Sequence, residues 1–161
     1  LTAMREIMGR LGLTVNEEKT RTCRVPAESF DFLGYTFGRC YSTQTGRAYI
    51  GTRPSKKSIK RMIEAIRAQT DRRTAGLEAT WLVQALNRKL VGWANYFRLG
   101  PVSKAYRAID AYTVARLRRW LCGKHKVEGG GRTRYPDEYF HENLGLTRLG
   151  KFTQRLPWAK A

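Results

Sequence analysis

The stretch Leu86-Asn-Arg-Lys-Leu-Val-Gly-Trp-Ala-Asn-Tyr-Phe-Arg98 places Leu86, Leu90, Trp93 and Phe97 at helical spacing, with Leu82 one turn earlier. Apolar residues that recur every three or four positions line one face of an amphipathic helix, so a helix is predicted over residues 77 to 97. Gly100-Pro101 ends it. Upstream, Arg53-Pro-Ser55 is a start signal for a helix beginning near Lys56 or Ser58. In that helix Ile59, Met62, Ile63 and Ile66 fall on one arc, and Lys57, Lys60, Arg61 and Arg72 point away from it. Downstream, Ser103 is placed to cap a third helix in which Tyr106, Ile109, Thr113, Leu117 and Trp120 share a face. Three amphipathic helices with short links predict a small bundle.

The first 52 residues read differently. Leu1, Met4, Ile7, Met8 and Leu11 recur at helical spacing, and Gly12 sits where a helix commonly stops. Leu13 to Val15 and Thr20 to Val25 are rich in β-branched residues around an Asn16-Glu17-Glu18 turn, and short strands are expected there. Phe30-Asp-Phe-Leu-Gly-Tyr-Thr-Phe37 alternates aromatic with other residues, and Tyr49-Ile50 follows a polar Ser42 to Gly46 segment, a hairpin pattern. The expected fold class is α+β: a short helix and hairpin, then a mainly helical bundle. The tail from Tyr135 carries Tyr139, Phe140, Leu144, Leu146, Leu149, Phe152, Leu156 and Trp158, enough apolar surface to dock back on the bundle.

Of the 161 residues, 42% are hydrophobic and 27% charged, which supports a buried core and rules out a disordered basic tail. The net charge is +18. Residues 53 to 73 carry eight basic and two acidic side chains, and residues 98 to 134 carry ten and two, so these windows hold +14 of it. Self-repulsion on that scale is relieved by a phosphate backbone that gives up condensed counterions, so nucleic acid is the leading partner class. No apolar run approaches the roughly 20 residues of a spanning helix, and no membrane partner is expected, with peripheral binding through basic amphipathic helices the minor alternative. Cys23, Cys40 and Cys122 are odd in number and widely spaced, which fits neither a disulfide framework nor a zinc site but suits thiols in a reducing compartment. His125 and His141 have no partner at metal spacing, and no metal site is assigned. The chain opens at Leu1 without a signal-peptide pattern, and the expectation is that it starts inside a longer protein.

Three local patterns occur in a telling order. Leu11-Gly-Leu-Thr-Val-Asn-Glu-Glu-Lys-Thr20 looks like a late palm motif of a polymerase, and Phe30-Asp-Phe-Leu-Gly-Tyr35 like a primer-grip hairpin. Leu90-Val-Gly-Trp-Ala-Asn-Tyr-Phe97 looks like a maturase-specific domain. Tyr106 to Tyr112, Arg116 to Leu121, Leu144 to Leu149 and Leu156 to Lys160 extend the likeness over essentially the whole chain. In this order the patterns resemble the C-terminal part of a group II intron-encoded reverse transcriptase, or maturase.

The resemblance implies a division into residues 1–52, the end of the palm with its primer grip; 53–128, a thumb and maturase-specific helical domain; and 129–161, a basic linker and docking tail. It implies that the full-length protein copies RNA into DNA with Mg2+ held by palm aspartates and assists splicing of its intron. That two-metal chemistry needs a close carboxylate pair. No Asp-Asp pair occurs in this chain, so polymerisation by it alone is not expected and no cofactor of its own is assigned. The implied partners are group II intron RNA, RNA template and DNA primer, with homodimerisation of the full-length protein open, and the implied location is a cytoplasmic ribonucleoprotein. Two alternatives remain: a splicing cofactor whose polymerase site has decayed, and a related reverse transcriptase serving a defence or CRISPR system.

By the same resemblance Lys19 is the residue that could assist departing pyrophosphate, against the plainer reading of a solvated turn lysine. Phe32, Leu33, Gly34 and Tyr35 would form the primer grip, unless the aromatics only pack the hairpin. Lys56, Lys57, Lys60, Arg61, Arg67, Arg72 and Arg73, on or beside the first bundle helix, and Arg107, Arg116, Arg118, Arg119 and Lys124, on the third, are the candidate RNA contacts. Arg118, Arg119 and Lys124 carry the strongest expectation among the latter. Arg116 falls inside the apolar arc and must snorkel, meet an acid or reach a phosphate. Trp93 and Phe97 are expected in the core, with Asn95 and Tyr96 facing a partner or capping a neighbouring element.

Overall fold

The computed structural model describes residues 2–16, 18, 20–42 and 45–153. The fold is α+β, with helix α1 (Thr2–Arg10), strands β1 (Phe30–Phe32), β2 (Tyr35–Tyr41) and β3 (Ala48–Pro54), and helices α2 (Lys56–Gln69), α3 (Ala79–Tyr96), α4 (Ser103–Lys124), α5 (Asp137–Glu142) and α6 (Gly150–Thr153). Ser55 caps α2, its Oγ accepting the Ser58 amide at 3.1 Å, which satisfies one of the orphan N–H groups of a first turn. No such cap opens α4: its N-cap residue is Val102, and Ser103 is already helical, contrary to the cap expected of it. Val102 is fully buried instead, so packing rather than a side-chain oxygen fixes that end.

One core joins the bundle. Met62 and Ile66 of α2, Leu82, Leu86 and Leu90 of α3, and Ile109, Leu117 and Leu121 of α4 meet Tyr135, Phe140, Leu146 and Leu149 of the C-terminal segment. Full burial of each aliphatic side chain contributes about 1.5–3 kcal/mol relative to exposure. Phe97 is buried and Trp93 packs against the core cluster, its ring tilted against Phe97 at 4.7 Å and meeting the edge of Tyr106 at 5.9 Å. The Tyr106 hydroxyl donates to the carbonyls of Ala94 (2.9 Å) and Phe97 (3.0 Å), the orphan acceptors at the end of α3. Burial pushes its pKa up to about 12.

Two side chains clamp the C-terminal segment to the bundle. Asn87 of α3 donates to Gly145 O (2.8 Å) and accepts Thr147 N (2.9 Å), and the Asp110 carboxylate of α4 accepts the amides of Leu149 (3.1 Å) and Gly150 (3.2 Å).

The sheet is antiparallel in the order β1-β2-β3. Phe32 pairs with Tyr35 across a two-residue turn, and both central residues have positive φ, Leu33 at 48° and Gly34 at 81°, the mirror-image turn that matches strand twist. No strand forms among the described residues of 13–25, where two were expected. None of the described residues there is buried, and β-branched composition makes a strand only when a partner and a covered face are present. Helix α1 likewise buries none of its residues, and Met4, Ile7, Leu11 and Leu13 are exposed.

Candidate nucleic-acid interface

Helix α2 gives its narrow apolar face to the core, which turns Lys56, Lys57, Lys60, Arg61 and Arg67 to solvent. Arg72 and Arg73 continue the exposed cations into a 3₁₀ turn (Arg72–Thr74) capped by Asp71, whose Oδ1 accepts Arg73 N at 3.1 Å. Among the described residues Lys60 alone of these cations has an ion pair, an exposed one with Glu64 at 4.0 Å. The face is therefore cationic and almost unneutralised.

Helix α4 lies against α2 and supplies the other wall. Arg116 reaches across: its Nε donates to Thr70 Oγ1 (3.0 Å) and its Nη2 to Thr70 O (2.8 Å) and Arg67 O (3.3 Å). It thus covers the carbonyl end of α2, where a cation is favoured by the unsatisfied C=O groups. Lys124 acts similarly on the link that follows, donating to Ala75 O (3.0 Å) and Leu77 O (2.6 Å) above the Trp120 ring, while Trp120 Nε1 donates to Thr74 Oγ1 (3.1 Å). Arg119 is exposed, with no hydrogen bond or ion pair among the described residues. Between the helices runs a groove with two depressions, of about 840 Å³ and 400 Å³, and Arg67, Arg116 and Arg119 line both.

Arg118 stands elsewhere. It is only 8% exposed, its Nε donates to Tyr135 O (2.8 Å), its guanidinium pairs with Asp137, and it covers the Phe140 ring. The expectation that it faces RNA is corrected. The C-terminal segment covers a second side of α4, so position 118, between Val114 and Leu121 on the buried surface, lies inside. Arg107 is exposed on the first part of α4, away from the groove lining, and its Nε contacts Ser103 O at 3.4 Å.

The four expected primer-grip residues are split by the turn that contains them. Phe32 and Leu33 are 59% and 68% exposed, whereas Tyr35 is 7% exposed and donates to Tyr96 O at 2.5 Å. Tyr96 returns the bond, its hydroxyl donating to Leu33 O at 2.9 Å, which is a capping role for a neighbouring element. Gly34 O accepts Ser55 N (2.9 Å) and Ser58 Oγ (2.8 Å), and a Cβ at Gly34 would stand 2.8 Å from Ser58 Oγ and 3.0 Å from the Phe97 ring. Glycine here permits close approach to the bundle itself. Burial raises the Tyr35 pKa.

Lys19 lies outside the described residues, as do Leu156 and Trp158 of the tail. Among the described residues no three His, Cys, Asp or Glu side chains could together hold a metal ion. No helix among them is long and apolar enough to cross a membrane.

Tyr112 was not among the residues expected from sequence, yet it lines the smaller depression. The signal was present: Tyr112, Arg116, Arg119 and Gly123 follow one another at intervals of four, three and four, one stripe of a helix.

A family model described as group II intron, maturase-specific domain, matches residues 59–140, which contain both walls of the groove. No curated protein matches the chain.

Proposed function

The chain belongs to the group II intron maturase-specific domain family, and from that premise we propose that it holds structured intron RNA on the cationic face formed by α2, the 3₁₀ turn and the groove side of α4. The observation that carries this reading is the row Lys56, Lys57, Lys60, Arg61, Arg67, Arg72 and Arg73, all exposed and matched by a single weak ion pair among the described residues. An A-form helix offers phosphates and 2′-hydroxyls rather than readable base edges in its deep groove, so a rigid cationic surface recognises it by shape and charge. Within a longer, polymerase-bearing protein the exposed Phe32 and Leu33 at the β1–β2 turn would bear on the primer, and the α2 face on the template–primer duplex. Splicing assistance and RNA-directed DNA synthesis would then use one body.

Filter binding to a structured intron RNA at rising salt tests the proposal. Log affinity should fall linearly with log salt, with a slope of about −0.7 to −0.9 per phosphate engaged. The triple charge reversal K57E/K60E/R61E should weaken binding by about tenfold or more and flatten that slope. An affinity indifferent to salt, or unchanged in the triple variant, would remove α2 from the interface.

A further inference from the structure

We propose that the groove between α2 and α4 takes a short unpaired stretch of RNA, with one phosphodiester seated between Arg67 and Arg119 and the flanking bases in the two depressions, one of them against Tyr112. The inference rests on the RNA-binding reading above and adds to it a defined subsite and a strand state.

Four observations converge on this ligand. The two depressions are of a size that holds single small ligands, and they are joined through three arginines they share, Arg67, Arg116 and Arg119. A ligand spanning both meets three arginines where the depressions join, with Arg72 and Lys124 further along the larger one, and a short oligonucleotide with a phosphodiester at the junction suits that layout. Arg67 and Arg119 line both depressions from different helices, exposed and without side-chain partners among the described residues. Arg116 is already oriented by its bonds to Thr70 and Arg67, and these use Nε and Nη2 but not Nη1. The guanidinium is fixed before a ligand arrives, so little side-chain freedom is lost on binding.

Tyr112 lies one turn of α4 before Arg116, partly buried against the core and partly open to the smaller depression. A base stacks on such a ring whatever its identity, which is how unpaired strands are commonly held. The larger depression has Val127 and Cys122 in its wall together with Asp71, Arg72 and Lys124. The Asp71 carboxylate, which already accepts the Arg73 amide, has acceptor capacity left for a 2′-hydroxyl or an exocyclic amine. A continuous duplex would keep its bases stacked inside and could fill neither end.

Fluorescence anisotropy with a 3′-labelled six-nucleotide oligouridylate, read beside filter binding of structured intron RNA, tests the proposal. The wild-type protein should bind the hexamer. R67A/R119A should weaken it by about tenfold or more and reduce the salt slope by about 0.7, the value for one phosphate of a single strand. Y112A should weaken it about 5- to 150-fold with the salt slope unchanged while a urea titration shows the variant folded, which separates stacking from any loss of folding. Y112F, which keeps the ring, should bind as wild type does. Millimolar inorganic phosphate should displace none of it. The subsite is overturned if wild type binds intron RNA but not the hexamer, if both variants bind the hexamer as wild type does, or if inorganic phosphate displaces it, the mark of a bare anion site. If the hexamer binds and responds as stated but intron RNA does not bind, the subsite stands and the intron-RNA reading falls.

Discussion

Arg118 and Arg116 show how two residues of like charge, two positions apart with the core residue Leu117 between them, come to opposite uses. Arg118 is sealed between α4 and the C-terminal segment, while Arg116 spans the groove. R118A should therefore destabilise the protein by about 1–3 kcal/mol, the cost of leaving buried acceptors such as Tyr135 O unsatisfied, with RNA affinity unchanged. The lower end of that range is appropriate because the Asp137 side chain is 68% exposed and water can take over its half of the pair. Urea unfolding read against filter binding separates the two quantities. Asp110 allows a second test. Burial is the largest influence on its carboxyl and raises its pKa, outweighing the amides of Leu149 and Gly150 and the nearby charges of His141 and Arg148, which lower it. A raised pKa means that the folded state holds the proton more tightly than the unfolded chain does. The stability it contributes is present below the unfolded value of about 3.8–3.9 and is lost as pH rises through the folded one. Wild-type stability relative to D110N should consequently fall as pH rises above the unfolded value of about 3.8–3.9, measured as the difference in urea midpoints.

At the scale of elements, α3 was the most legible part of the chain. A strict apolar repeat from Leu82 to Phe97 leaves a helix little choice of which face to bury, and Leu82, Leu86 and Leu90 are indeed sealed. L86A should cost about 2–5 kcal/mol in denaturant unfolding, since the core around a fully buried leucine relaxes only in part. The turn before α2 was legible for a similar reason, because Pro54 and Ser55 act locally. What could not be read were features decided by a second element. Residues 13–25 have strand-like composition and, among the described residues, no strand to pair with. Helix α4 has two buried sides, one against α2 and α3 and one against the tail, so an apolar arc traced through Tyr106, Ile109, Thr113, Leu117 and Trp120 missed Arg118. Tyr112 was overlooked because charge density, the signal being followed, gives no weight to an aromatic ring until the wall opposite it is known. The hairpin itself was visible in its alternation, whereas its union with the bundle through Tyr35, Tyr96 and Gly34 depends on contacts more than sixty residues apart.

Over the whole molecule, charge and core are laid out so that neither interferes with the other. The basic windows of the sequence form the outer sides of α2 and the groove, and those of their cations that turn inward are each given acceptors: Arg116 the end of α2, Lys124 the link after it, Arg118 the Tyr135 carbonyl and Asp137. Such an arrangement stabilises the bundle without neutralising the exposed row that the salt titration reads. The core, meanwhile, is finished from the C-terminal side by Tyr135, Phe140, Leu146 and Leu149. A nascent chain emerges N-terminus first, so the bundle cannot close until residue 149 has cleared the ribosome. Through the synthesis of residues 98–134 the emerging polypeptide is already strongly cationic yet still has open apolar helix faces, beside ribosomal RNA that is itself a polyanion. The late segment is the latch that ends this vulnerable interval, and a pause just before it would hold the chain where misassembly is easiest.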